Sequence, residues 1–209
     1  MVQRVFVVED DDAVRRSLER LLTGLGFDVE SFASASAFLS AARHPGPACL
    51  VVDYRLPDGN GLDVQRAVRS RGESLGVVFL TGHADVPTTV EAMKAGATDF
   101  LTKPFDADAL KTAVNRAIAA STLDYSRRLE LDAFRARVAT LTRREHEVCA
   151  LVVEGLLNKQ IGDRLGTTEK TIKVHRARAM RKLGIGSVAE LARLAERTAA
   201  FSAPPPAAV

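Results

Sequence analysis

Tryptophan is absent from the 209 residues, tyrosine occurs twice, and aromatic residues together make up 5% of the chain. A chain so poor in aromatic rings has little surface on which to stack unpaired bases, which counts against RNA binding. Cysteine is nearly absent too. Cys49 and Cys149 stand far apart in apolar surroundings, so buried, reduced and inert thiols are expected rather than a disulfide framework. No uninterrupted apolar segment reaches the roughly 20 residues that a membrane-spanning helix needs. The opening residues lack the layout of a signal peptide, because a strand and an acidic cluster follow at once. These absences predict a cytoplasmic protein with no membrane partner. What is present, 46% hydrophobic and 26% charged residues, is the make-up of an ordinary globular protein.

The net charge of +3 conceals an asymmetry. Residues 1–122 carry 13 Lys/Arg against 16 Asp/Glu, whereas residues 123–209 carry 16 against 10. An acidic first half and a basic second half predict two domains with different partners, the basic one facing nucleic acid.

In the first half the informative stretch is Leu50-Val51-Val52-Asp53, followed by Tyr54-Arg55-Leu56-Pro57-Asp58-Gly59. A short continuous apolar run reads as a strand buried on both faces. A carboxylate at its carboxyl end lies where open α/β sheets place their ligand sites. Four more strands are predicted: Val5–Val8 ending in Glu9-Asp10-Asp11-Asp12, then 28–32, 75–80 ending at Thr81, and 99–102 ending at Lys103-Pro104. Helices are predicted between and after them, over Val14–Leu22 with Asp11 or Asp12 as cap, over 35–42, 61–70 and 86–95, and over 107–120 with Asp106 as cap. Alternating strands and helices imply a doubly wound, flavodoxin-like parallel sheet of five strands. Glu9, Asp10, Asp53, Thr81 and Lys103 then meet at one rim. Clustered carboxylates raise one another's pKa unless a cation compensates, and Mg²⁺ suits an all-oxygen set. With Lys103 as a fixed charge and Thr81 as a hydroxyl donor, the set meets the needs of phosphoryl transfer onto Asp53.

On Glu9-Asp10, Asp53, Pro57, Thr81, Ala84, Phe100 and Lys103-Pro104, residues 1–121 resemble a two-component receiver domain. The resemblance implies that a sensor histidine kinase phosphorylates Asp53. It implies Mg²⁺ on Asp10, Asp53 and the backbone carbonyl of Arg55, with Glu9 acting through water. It also implies a switch in which Thr81 follows the phosphoryl group and Phe100 takes the place of the switch aromatic. Similar receivers form a symmetric homodimer through the fourth helix, fifth strand and fifth helix. On that fourth helix, Val90 and Met93 read as core or as part of that face. Arg55 and His83 flank the site as hydrolysis-tuning groups or plain loop residues. Glu9 stands where many members have aspartate.

Residues 122–139 contain no Pro or Gly and read as a helical linker, either a rod that transmits the signal or a solvated connector. Thr142 followed by Glu145 is a capping box that opens a small all-α domain over 140–197. A helix over 158–165 ends at Gly166, and Thr168 caps a third helix over 169–183, a helix-turn-helix spacing. Ile172, His175 or Ala179, and Leu183 are its inward positions. Lys170, Lys173, Arg176, Arg178, Arg181 and Lys182 leave the rest strongly basic, which favours double-stranded DNA.

The runs Leu141-Thr142-Arg143-Arg144-Glu145, Asn158-Lys159-Gln160-Ile161 and Thr171-Ile172-Lys173-Val174-His175-Arg176 resemble the LuxR-type domain of NarL/FixJ response regulators. The resemblance implies that Lys173 and Val174 meet base edges while Lys159, Thr171, Arg176 and Arg178 hold phosphates. It also makes RNA polymerase a partner to consider. Gly162 departs from the usual alanine, an expected loosening of the scaffold helix. Residues 198–209 read as a disordered tail. A transcription factor, most often an activator in similar proteins, is therefore expected. An aspartyl-phosphate phosphohydrolase is the enzymatic competitor, but it needs a second acid where Arg55 stands.

Overall fold

The computed structural model describes residues 3–41, 44–82, 90 and 92–202. Contacts divide the chain between Ser126 and Arg127 into two units. In the first, strands β1 (Arg4–Val8), β2 (Asp28–Phe32), β3 (Ala48–Asp53), β6 (Leu75–Thr81) and β7 (Asp99–Thr102) form one parallel sheet in the order β2-β1-β3-β6-β7. A two-stranded hairpin, β4 (Arg55–Leu56) and β5 (Gly59–Asn60), follows β3. Among the described residues, helices α1 (Asp12–Gly24), α2 (Ala35–Ser40), α3 (Gly61–Ser70) and the first part of α4 (Ala107–Val138) belong to this unit, with further helical residues at Val90 and 92–94.

The pleat sorts the central strands onto two faces. Phe6, Val8, Leu50, Val52 and Phe79 point to the side covered by α2 and α3 through Phe38, Leu62 and Val68. Val5, Val7, Val51, Val78 and Leu80 point to the side covered by α1 and α4 through Leu18, Leu22, Leu110 and Val114. Both faces are covered, so β3 shows no polar alternation and is buried from Ala48 to Asp53. Each fully buried Val or Leu contributes about 1.5–3 kcal/mol, which is enough to drag the one terminal carboxylate of β3 below the surface.

The helix predicted over 86–95 lies partly outside the described residues, as do His83, Ala84 and Val86. Val90 and Ala92–Lys94 are helical. Among the described residues of that turn Ala92 is buried, whereas Val90 and Met93 are 43% and 47% exposed. Their apolar character therefore marks surface and not core, because the inward position is already taken by a small side chain.

The second unit contains the end of α4 and helices α5 (Arg143–Val153), α6 (Asn158–Arg164), α7 (Glu169–Leu183) and α8 (Val188–Thr198). The capping box at α5 is present: Thr142 Oγ1 accepts the Glu145 N–H at 3.3 Å, and Glu145 Oε2 accepts the Thr142 N–H at 2.8 Å. Phe134 and Val138, in the stretch read as linker, belong to this unit's core, and Leu131 packs against it. A solvated connector would not bury a phenylalanine completely. The stretch read as tail also contributes, since Phe201 packs against His146 with ring centroids 4.9 Å apart. Residues 203–209 lie outside the described residues.

Candidate phosphoacceptor pocket and nucleic-acid interface

Parallel register carries the chemistry to one rim. Val8 pairs with Val52, Asp53 with Leu80, and Thr81 with Thr102. Residues just past these positions therefore emerge together. The Lys103 N–H donates to the Thr81 carbonyl at 2.7 Å, extending the β6–β7 ladder by one step. Lys103 Nζ then reaches back to Asp53 Oδ2 at 2.5 Å and Glu9 Oε2 at 2.6 Å. Asp53 Oδ1 accepts the Arg55 N–H at 2.8 Å. Gly61 passes so close beneath that a Cβ there would lie 2.7 Å from the Asp53 carbonyl oxygen.

Electrostatics in the pocket are unbalanced toward negative charge. Glu9 is buried, and that burial pushes its carboxyl above the ordinary range even though the Lys103 ammonium pulls it down. Burial works against the charged form of Lys103 as well, but hydrogen bonds to Asp53 and Glu9 outweigh it and raise the ammonium's pKa. Glu9, Asp10 and Asp53 offer carboxylate oxygens within 4.8 Å of one another. An all-oxygen set of carboxylates gathered this closely is the donor chemistry that Mg²⁺ prefers. Asp10 is exposed, which leaves one side open to water.

Thr81 is buried at the end of β6. Phe100 is half-buried, with its ring 6.3 Å from that of Phe79 and 6.5 Å from that of Tyr54. The five residues predicted at the rim are thus brought together, while the Arg55 side chain is exposed and only its backbone meets Asp53. Sequence reasoning missed the hairpin at 55–60. Its signal was the turn tripeptide Pro57-Asp58-Gly59 directly behind the acid.

In the second unit, Thr168 caps α7 by accepting the Thr171 N–H at 3.2 Å. Ile172, Ala179 and Leu183 form its inward stripe, which selects Ala179 over the half-buried His175. Lys159, Lys173, Val174 and Arg178 are exposed, and Thr171 and Arg176 are half-buried. Lys173 pairs with Glu169 at 2.8 Å, and Arg176 donates to Asn158 Oδ1 at 3.2 Å. Lys182 is engaged within the unit although its side chain is exposed: its Nζ lies 2.6 Å from the buried Glu145 carboxylate and donates to the Thr140 carbonyl at 3.3 Å. The basic face is thus smaller than the helix's charge suggests, because Lys182 is spent on the capping box. Gly162 permits a close approach, since a Cβ there would meet the Thr167 carbonyl oxygen at 2.8 Å. Glycine here leaves room for the chain to pass close between α6 and α7.

A doubly wound unit with a lysine-bridged carboxylate at its carboxyl rim, followed by a helix-turn-helix unit, defines a signal-receiving regulator of DNA. Comparison with known proteins makes this specific. The model for the response regulator receiver domain matches residues 5–115, and that for the bacterial regulatory proteins of the luxR family matches residues 139–195. The response regulator protein TodT of Pseudomonas putida is 38% identical over 193 residues, covering 92% of this chain and 85% of TodT. The transcriptional regulatory protein FixJ of Azorhizobium caulinodans is 41% identical over 191 residues, covering 91% of this chain and 90% of FixJ. The solved structure of the response regulator StyR is 41% identical with a TM-score of 0.74, covering 94% of this chain and all of that one. The chain belongs to the NarL/FixJ family of two-component response regulators, transcription regulators with a receiver and a LuxR-type DNA-binding domain. Receiver domains typically bind Mg²⁺ at an acidic cluster of this kind. Among the described residues no helix is long and apolar enough to cross a membrane.

Proposed function

We propose that Asp53 accepts a phosphoryl group from the phosphohistidine of a sensor kinase, and that this promotes homodimerisation and sequence-specific DNA binding, with activation of transcription as the outcome. The reading rests above all on Lys103 Nζ, which bridges Asp53 and Glu9 at hydrogen-bond distance. A bridging ammonium holds the nucleophile's oxygen in place and meets the charge of an arriving phosphoryl group.

In the transfer, an Asp53 carboxylate oxygen attacks phosphorus while the P–N bond to the kinase histidine breaks and the imidazole leaves with the electron pair. Mg²⁺ on Asp10, Asp53 and the Arg55 carbonyl, with Glu9 through water, would supply charge neutralisation for the phosphoryl oxygens. Lys103 gives up part of its hold on Asp53 and pairs with a phosphoryl oxygen. The new group carries about −1.5 to −2 charges, and the Thr81 hydroxyl turns toward it as a donor. Phe100 follows into the space this leaves. Exposed Val90 and Met93 then belong to the surface on which two receivers meet.

Dimerisation matters because one recognition helix reads only a few base pairs, whereas two related by symmetry read a whole palindrome. Lys173 and Val174 would meet base edges, with Lys159, Thr171, Arg176 and Arg178 on phosphates. Gel shifts on a target promoter with phosphorylated protein and with Asp53→Asn test this. Tighter binding and a larger sedimenting species are expected for the phosphorylated parent only. Equal binding by both proteins, under conditions that phosphorylate the parent, would refute it.

A further inference from the structure

The hairpin behind Asp53 is too short to hold itself in place. Its strands are two residues each, with Arg55 opposite Asn60 and Leu56 opposite Gly59, and isolated two-stranded hairpins are marginal in water. Its base is tied to the sheet, since the Tyr54 N–H donates to the Leu80 carbonyl at 2.8 Å and the Gly61 N–H to the Tyr54 carbonyl at 3.0 Å.

Its tip is held by a different device. Asp58 Oδ1 accepts the N–H of Ala35 at 3.1 Å, and Oδ2 accepts that of Ser36 at 2.8 Å. These are the first two residues of α2, whose early N–H groups have no partner within the helix. Ser34 Oγ, the ordinary cap, takes the Ala37 N–H at 3.1 Å. The two caps therefore divide the work: Ser34 belongs to α2 alone, whereas Asp58 joins α2 to the hairpin. Backbone hydrogen bonds from Ser36 and Ala35 keep the Asp58 carboxyl below its usual range, so the clasp stays charged at neutral pH.

We propose that Asp58 is a positioning residue for the phosphoacceptor pocket. By clasping the first turn of α2, it fixes the hairpin that carries the Arg55 backbone, and through it the fit of the pocket for its divalent cation. The inference rests on the Mg²⁺-binding role given to that pocket above. Arg55 is the link because its N–H already holds Asp53 Oδ1, so any drift of the hairpin moves the nucleophile and the metal-facing backbone together. Second-shell partners of a metal site are commonly worth about 10- to 100-fold in affinity, and the lower end applies to a group acting through backbone.

The test uses the full chain and two readouts: Mg²⁺ titrated by calorimetry, and amide hydrogen exchange without metal. Asp58→Ala should weaken Mg²⁺ about tenfold and speed exchange across residues 54–60. Ser34→Ala should loosen α2 yet leave hairpin exchange and Mg²⁺ affinity at parental values. Asp58→Asn, which keeps an acceptor without the charge, should fall between parent and alanine in both. The proposal is overturned if Asp58→Ala leaves hairpin exchange unchanged, or if Ser34→Ala weakens Mg²⁺ equally. It is also overturned if Asp58→Asn matches Asp58→Ala in affinity and added salt erases the deficit, which is the signature of bulk electrostatics. Failure of the pocket reading looks different. Asp53→Asn would then bind Mg²⁺ as tightly as the parent while Asp58→Ala still frees the hairpin, which upholds the clasp and removes the site it serves.

Discussion

Phe134 sits in the stretch between the two family-matched domains, yet it has no exposed surface and packs in the core of the second unit. Truncation to alanine removes a ring that no solvent reaches. Buried Phe→Ala changes cost about 3–5 kcal/mol when the site collapses only partly. The second unit has about 80 residues, and domains of that size have total stabilities of roughly 4–12 kcal/mol. The substitution therefore consumes between a quarter and all of the available stability. At about 4–8 °C per kcal/mol, the unit's melting temperature should fall by at least about 12 °C.

The assay is hydrogen exchange read by mass spectrometry along a urea series, which reports each unit of the intact chain separately. Peptides from 143–198 should lose protection at much lower urea in Phe134→Ala, while those from β1, β3 and β6 keep parental behaviour. DNA binding should fall with the folded fraction of the second unit, and Mg²⁺ binding should not change. Leu129→Ala is the control, because Leu129 on the same helix is 51% exposed and surface changes stay within about 0.5 kcal/mol. If Phe134→Ala proved as mild as Leu129→Ala, the helix end would be a connector after all.

Other outcomes follow from single contacts. Burial alone would raise the Glu145 carboxyl, but hydrogen bonds from Lys182 and Thr142 outweigh it and hold it below 4.5. A depressed carboxyl stabilises above its unfolded value and loses that contribution as pH falls through the folded one. Acid unfolding of the second unit should accordingly be steeper below about pH 4.5 in the parent than in Glu145→Gln, and identical slopes would contradict it. Arg178→Ala should reduce the slope of log affinity against log salt by about one, uniformly across DNA sequences. Lys182→Ala should leave that slope nearly unchanged and lower the unit's stability instead, because its charge is already engaged by Glu145; an equal loss of slope would place Lys182 on DNA. Thr142→Ala should cost about 0.5–2 kcal/mol in urea unfolding, and no change would mean that the capping box adds nothing.

The sheet could be read from residues because each central strand is an apolar run that ends in a polar group. Burial on both faces leaves no other reason for Leu50, Val51 and Val52 to stand together. The rim followed from topology alone, since parallel strands must deliver Glu9, Asp53, Thr81 and Lys103 to the same edge. What escaped was set by contacts that periodicity does not encode. A basic helix does not announce which lysine pairs within its own domain, and only the position of Glu145 makes Lys182 the one. The hairpin at 55–60 is shorter than any pattern of alternation. In α4 the apolar residues serve two different cores, Leu110 and Val114 in one and Phe134 and Val138 in the other, so no single stripe runs its length. A signal was nonetheless present: Leu131, Phe134, Val138 and Leu141 recur at spacings of three and four, which is the face of a helix that packs. Reading the stretch as one segment between domains hid it. The second unit begins earlier than its helix-turn-helix motif because a small helical domain needs that extra turn of phenylalanine and leucine to close its core.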